Sequence, residues 1–307
     1  MSAILNLLSG GTYTSAPVNT VAPSVTGTAT VGQTLSCSTG TWTGSPAPTF
    51  TYQWQRVTTN ITSATSSTYV LVAADAGNTI RCVVTATNTI GAVSANSNST
   101  ATIPLVIGQA YGGGFYGGQI STSANGVATH NLVVGPLSTA QAPTKIAWAT
   151  AYGTTGTTST INGPGNSATL NSASYPAAQF CEDLNIGGYT DWYLPAYHEL
   201  GVLFFNLKAY SYAGNDTSTG ANPYSVPTRG SNYTADSPAL TTSSAFKSAY
   251  NGGSATEVFN ADSYQTSTEA SSSARWIVSM FNGTEQYSDK TETTGGPFTR
   301  AIRRVAV

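Results

Sequence analysis

At 307 residues the chain is long enough for two domains with proper cores, or three small ones. Only 8% of its residues are charged and 31 are glycine, which argues against a helical bundle with Glu, Lys and Arg on its solvent faces and for a mostly β, turn-rich protein. The formal net charge of -2 gives no electrostatic footprint for nucleic acid and no basic stripe for an anionic membrane, and no apolar run reaches membrane-spanning length.

Residues 1–20 are expected to form an N-terminal anchor or docking peptide. Their start, Met-Ser-Ala-Ile-Leu-Asn-Leu-Leu-Ser-Gly-Gly, is apolar, lacks the positive region of a signal peptide and has little of its own to fold against. Three cysteines, Cys37, Cys82 and Cys181, leave one unpaired whatever the other two do.

Residues 21–104 read as short alternating strands separated by Gly, Pro, Asn and Ser, with strands expected at 31–37, 50–56 and 79–86. The order Cys37, Trp54, Cys82 is the Cys…Trp…Cys pattern of an immunoglobulin-like sandwich, in which the Trp packs against two facing strands. Asp75-Ala76-Gly77 and Asn88-Thr89-Ile90-Gly91 resemble the corner and final hairpin of bacterial and phage Ig-like domains, while Ile80 stands where antibody domains carry a corner Tyr. Between 21 and 103 only Arg56, Asp75 and Arg81 are charged, so a spacer is expected here rather than a site for an ionic ligand. Cys37 and Cys82 are either a disulfide or two packed thiols.

The remaining residues, 105–307, open on Gly112-Gly113-Gly114, read as a tight turn feeding a strand because no Lys-Ser/Thr follows as in a P-loop. Strands are expected at 131–134 and 145–149, then a long Gly/Thr/Ser loop over 153–166 that is a candidate binding or assembly surface. A helix over 175–184 starts at Pro176 and is closed by Gly187-Gly188. After Tyr189-Thr190-Asp191-Trp192-Tyr193-Leu194-Pro195, the apolar spacing of Leu200, Leu203, Phe204 and Leu207 predicts one buried face of a second helix. Residues 209–260 are polar, Tyr-rich and irregular. Strands follow at 263–269, at 274–281 up to the turn Asn282-Gly283, and at 299–305.

These motifs together resemble the Lcl C-terminal domain, a family of bacterial and phage proteins. The resemblance rests on Tyr111 to Gly114, Cys181, Gly187 to Pro195, Glu199-Leu200, Ser267-Thr268-Glu269, Trp276, Asn282-Gly283 and Arg300-Ala301-Ile302-Arg303. It implies a C-type-lectin-like α+β fold, a small twisted sheet with two helices and long loops, behind the Ig-like sandwich. Asp191, Trp192, Glu199, Glu269, Trp276, Arg300 and Arg303 are then framework residues. This chain departs from the family in three places: Tyr193 for Arg, Ala301 for the Cys that would partner Cys181, and Ala196 where a Ser or Thr helix cap is expected.

Glu199, Glu269, Arg300 and Arg303 most resemble an active site, and the favoured reading is a buried ion-pair network tying helix to final strand. His130 and His198 stand in no nucleophile motif, and no His/Cys cluster or Asp-rich loop points to a metal; neither enzyme activity nor a cofactor is expected. Trp148, Trp192 and Trp276 read as core. Tyr210, Tyr212, Tyr224, Tyr233, Tyr250, Tyr264 and Tyr287 are the candidates for recognition, large flat faces among small polar residues. The resemblance implies a bacteriophage virion protein, a fibre or decoration subunit attached to other virion proteins through its N-terminal segment, homo-oligomeric, with a trimer as one form. Its lectin-like domain would meet a host-surface glycan. The alternatives are a structural capsid or tail component without ligand, a bacterial surface adhesin, and, least favoured, a polysaccharide-acting enzyme.

Overall fold

The structure is a computed structural model that describes residues 14–210, 214–249 and 252–307. The expected docking peptide up to residue 13, and Tyr212 and Tyr250, lie outside the described residues. The protein is mostly β, and it divides into two compact units between Leu105 and Val106.

The first unit contains β1 (Ser15–Val21), β2 (Val25–Thr26), β3 (Thr34–Cys37), β4 (Thr41–Ser45), β5 (Thr49–Arg56), β6 (Thr59–Asn60), β7 (Thr68–Val70), β8 (Ile80–Asn88) and β9 (Gly91–Asn96). One sheet runs β6-β5-β8-β9, another β2-β3-β7, and β1 pairs with β4. Residues 15–20, within the stretch expected to be a docking peptide, form with Val21 the strand β1, which pairs irregularly with β4. The strand expected from 31 begins at Thr34, because Gly32 at φ 86 lies in a turn closed by the Gln33 N–H on the Thr30 carbonyl.

Along β8 the side chains of Ile80, Cys82, Val84 and Ala86 are buried while the residues between them are half-buried, the period of two that places one strand face on a core. Trp54 of β5 stands opposite Cys82, stacks on Tyr69 at 5.6 Å and donates its indole N–H to the Ser66 carbonyl at 2.8 Å. From the other sheet Leu35 and Cys37 close the same core. Cys37 and Cys82 are free buried thiols; Cys37 Sγ donates to the Ser38 carbonyl at 3.3 Å and Cys82 Sγ to the Val83 carbonyl at 3.7 Å. Asp75, in a 3-10 turn at the corner, is fully buried and takes Arg56 Nη2 at 2.6 Å, the Tyr69 hydroxyl at 2.9 Å and the Val72 N–H at 2.8 Å.

The second unit contains β10 (Ala110–Tyr111), β11 (Gly114–Ile120), β12 (His130–Val134), α1 (Leu137–Ala140), α2 (Gly163–Thr169), α3 (Pro176–Glu182), α4 (Tyr197–Leu207), β13 (Ser225–Val226), β14 (Ser263–Glu269), β15 (Ala274–Ser279), β16 (Glu285–Asp289) and β17 (Ile302–Ala306). An antiparallel sheet runs β10-β11-β12-β17 with β13 on β11, and a second runs β14-β15-β16. Both faces of β12 are covered: Leu132 and Val134 enter one core with the α4 residues Leu200, Leu203, Phe204 and Leu207, and Val133 enters another with Trp148, Cys181, Trp192 and Leu194. Gly112 and Gly113, at φ 56 and 84, make the expected turn between β10 and β11; a Cβ on Gly113 would lie 2.6 Å from the Tyr189 ring. Residues 145–149 are not a strand. The Trp148 and Ala149 N–H groups both go to the single carbonyl of Lys290, and a shared acceptor builds no ladder.

Candidate functional site

The four charged residues that resembled an active site are separated, each closed within its own ion pair. Glu199, fully buried, accepts from Arg304 Nε at 2.7 Å, from the Tyr193 hydroxyl at 2.6 Å and from the Ala196 N–H at 2.7 Å. Arg303 instead forks onto Asp191 at 2.6 and 2.9 Å, donates to the Gly112 carbonyl at 2.8 Å and lies over the Tyr189 ring at 3.9 Å. Arg300 pairs with Glu257 at 3.0 Å, and Glu269 pairs with Lys290. Helix α4 is thus tied to the final strand as expected, but through Arg304 rather than Arg300 or Arg303.

The loop 153–166 partly turns inward on Glu269, whose carboxylate also accepts the N–H groups of Thr155 at 3.0 Å and Gly156 at 2.9 Å. Burial pushes this carboxyl up, but the hydrogen bonds from Lys290 and the two backbone N–H groups outweigh it and hold it below its ordinary value. Tyr193 serves Glu199, and the cation beside Asp191 and Trp192 is supplied by Arg303. Cys181 and Ala301 are buried in the same cluster, and Cys181 is a free thiol. Among the described residues no group of three or more His, Cys, Asp or Glu is placed to hold a metal ion.

Two of the candidate tyrosines belong to the core: Tyr233 is 4% exposed and Tyr264 1% exposed, and neither ring offers a face to an outside ligand. Tyr233 packs on Phe204 and Tyr264 on Phe259 and Phe298. Tyr210 is half-buried. Tyr224 and Tyr287 are different, because they end a continuous row of rings along one side of the second unit.

The row runs Tyr224, His198, Tyr197, Trp276, Tyr287, with successive ring centroids 5.2, 4.7, 4.8 and 4.4 Å apart. Its first four members are half-buried and Tyr287 is 62% exposed, so Trp276 is not the core residue expected. The sheet places Trp276 and Tyr287 together, since they are direct partners of β15 and β16. Tyr197 and His198 come from the first turn of α4, off the face that carries Leu200 and Leu203.

Beneath the row lie polar groups that sequence reasoning missed. Glu285 accepts from the Tyr197 hydroxyl, and Asn222 donates to the His198 carbonyl at 2.8 Å. Arg229 lies over the Phe205 ring at 4.4 Å and donates through Nη2 to the Gly201 carbonyl at 3.3 Å, while its Nε and Nη1 are buried without a hydrogen-bond partner. Arg229 also lines a cavity of about 60 Å³ with Val202, Phe205, Asn206 and Pro227. Burial first, and then the Arg229 charge, lowers the His198 imidazole to about 4, and it is neutral at physiological pH. Burial raises Glu285, partly offset by the Tyr197 hydrogen bond and Arg229. The only sequence sign of this arrangement is the spacing of Tyr197, Gly201 and Phe205, four residues apart along one line of α4.

Half-exposed rings backed by fixed donors and acceptors can hold a ligand with an apolar face and a polar edge. Comparison with protein-family models, with curated proteins and with solved structures returns no match.

Proposed function

We propose that the chain is a bacteriophage virion structural protein, a fibre or decoration subunit, in which an Ig-like spacer carries a C-type-lectin-like domain that meets a glycan on the host surface. The spacer reading is supported by two sheets sharing one core around Trp54, Leu35, Cys37 and Cys82. The lectin-like reading is supported by the Gly-Gly-Tyr-Thr-Asp-Trp stretch, which locks to the final strand through Asp191 and Arg303. Buried free thiols and Ala301 in the place of the family Cys suit assembly in a reducing host cytoplasm. Attachment to other virion proteins through the N-terminal segment, and homo-oligomerisation, complete the proposal.

The observation that carries the binding reading is the aromatic row from Tyr224 to Tyr287. Replacing Tyr224 and Tyr287 together by Ala is expected to weaken binding of the full chain to host envelopes at least about tenfold, which is 1.4 kcal/mol. Tyr287 is exposed and Tyr224 half-buried at the other end of the row, so the unfolding midpoint should fall less than it would for a core tyrosine such as Tyr264. Unchanged binding would sink this reading, and absence of the chain from purified virions by mass spectrometry would sink the virion assignment. A second reading, a structural component without ligand, is favoured by the closure of Glu199, Glu269, Arg300 and Arg303 in internal ion pairs. Silence on a glycan array together with an unaltered host range on deletion would select it.

A further inference from the structure

Beside the aromatic row lies the cavity of about 60 Å³ that Arg229 lines. Val202 on its wall stands one turn beyond His198 on α4, and Ser225 follows Tyr224, so the cavity sits at the Tyr224 end of the row. Pro227 at its rim is exposed, and Phe205, Asn206 and Val226 are half-buried, which gives a group from outside a way in. Its size is restrictive. One water needs about 10–15 Å³ of such space and a benzene ring occupies a cavity of about 150 Å³, so this one takes a group of a few heavy atoms.

The lining sets the chemistry of that group. Val202, Phe205, Val226 and Pro227 are apolar. Asn206 Nδ2 already donates to the Gly117 carbonyl at 2.8 Å, and the Ser225 hydroxyl serves the Asn222 and Pro227 carbonyls and accepts the Arg229 backbone N–H at 3.1 Å. The Arg229 side chain differs, since its Nε and Nη1 are buried without a hydrogen-bond partner. Its charge is offset by the ring faces of Phe205 and Tyr233, at 4.4 and 5.3 Å, and by the Glu285 carboxylate; what it lacks is an acceptor. The complement of this cavity is a small apolar group that carries a neutral acceptor oxygen. A bare methyl would leave the guanidinium unmet, and an ammonium would be repelled by it. A carboxylate would need donors for two oxygens, and beyond Arg229 the walls are apolar or committed. An acetyl group offers a methyl to the walls and one carbonyl to Arg229.

We propose that this cavity is an acetyl-reading pocket, and that the saccharide on the row bears an acetylated amine or hydroxyl whose methyl enters between Val202, Val226 and Pro227 while its carbonyl accepts from Arg229. This rests on the reading of the row as a glycan platform.

The test is a set of immobilised glucose-type oligomers of one length that differ in a single substituent: hydroxyl, ammonium, acetamido, butanamido, O-acetyl or carboxylate. They are probed with the full chain and with Val226→Phe, whose ring fills the cavity from its rim and leaves Arg229 in place. The expected result is that the wild type binds an acetylated oligomer at least about tenfold more tightly than the hydroxyl, ammonium, carboxylate and butanamido ones, and that Val226→Phe loses this preference while keeping the wild-type melting temperature. Which of the two acetylated oligomers is preferred tells nitrogen from oxygen as the carrier. If the variant does not fold, the acyl series on the wild type decides alone. Equal binding to the hydroxyl and acetylated oligomers, tighter binding to the butanamido or carboxylate oligomer, or an unchanged preference in folded Val226→Phe overturns the pocket and leaves the platform standing. Host-cell binding that depends on Tyr224 and Tyr287 without binding to any oligomer overturns this inference alone. No binding to cells or oligomers overturns both.

Discussion

Glu269 shows what a single charged residue does in this protein. It is 5% exposed and holds Lys290, itself fully buried, together with the backbone of Thr155 and Gly156. Removing one partner of a buried pair leaves the other charge unsatisfied, so Glu269→Gln should lose about 3–5 kcal/mol near pH 6 in urea unfolding. The Glu269 carboxyl is held below its ordinary value of 4.5 in the folded state. Its contribution is therefore fully present above the unfolded value and is lost as pH falls through the lower, folded one. Urea melts at a series of pH values should show wild type and variant separated at pH 6 and converging below about 4.5. A separation that persists at low pH would mean that Glu269 acts through packing and not through its charge.

At the scale of the element, α4 begins without the Ser or Thr cap that its position calls for, yet its first turn is satisfied. The Ala196 N–H goes to Glu199 at 2.7 Å, the Tyr197 N–H to the Thr268 hydroxyl at 3.1 Å and the His198 N–H to the Thr160 carbonyl at 2.8 Å. The cap has been moved from the helix to its neighbours β14 and the preceding loop. Thr268 is 1% exposed and also donates to the Ser159 carbonyl at 2.9 Å. Thr268→Val keeps its shape and removes both bonds, and should lower stability by about 1–2 kcal/mol in chemical denaturation. No measurable change would show that water replaces the threonine at the helix start.

At the scale of the whole molecule, the core of the first unit and the two clusters of the second have no residue in common. Trp54 is fully buried at the centre of the first. Trp54→Ala should lower the stability of that unit by about 3–5 kcal/mol while amide hydrogen exchange in α4 and β12 keeps its protection. Loss of protection in both units together would show that they unfold as one.

The sequence by itself determined the elements whose signal is local. The spacing of Leu200, Leu203, Phe204 and Leu207 located α4, Pro176 and Gly187-Gly188 bracketed α3, and alternation located β3, β5 and β8, while the strand-like stretches at 131–134, 263–269, 274–281 and 299–305 matched β12, β14, β15 and β17. Cys37, Trp54 and Cys82 did converge on one core, as their order implied. Side-chain partners were not legible in this way, since they join residues far apart in the chain. Arg303 and Arg304 are neighbours on β17, and strand alternation sends one to Asp191 and the other to Glu199. Composition cannot distinguish two adjacent arginines; only the register of β17 on β12 decides between them. The aromatic row has the same origin. Tyr197, Tyr224, Trp276 and Tyr287 lie on a helix, an irregular segment and two strands, and only the packing of α4 against β15 and the pairing of β15 with β16 bring them into line.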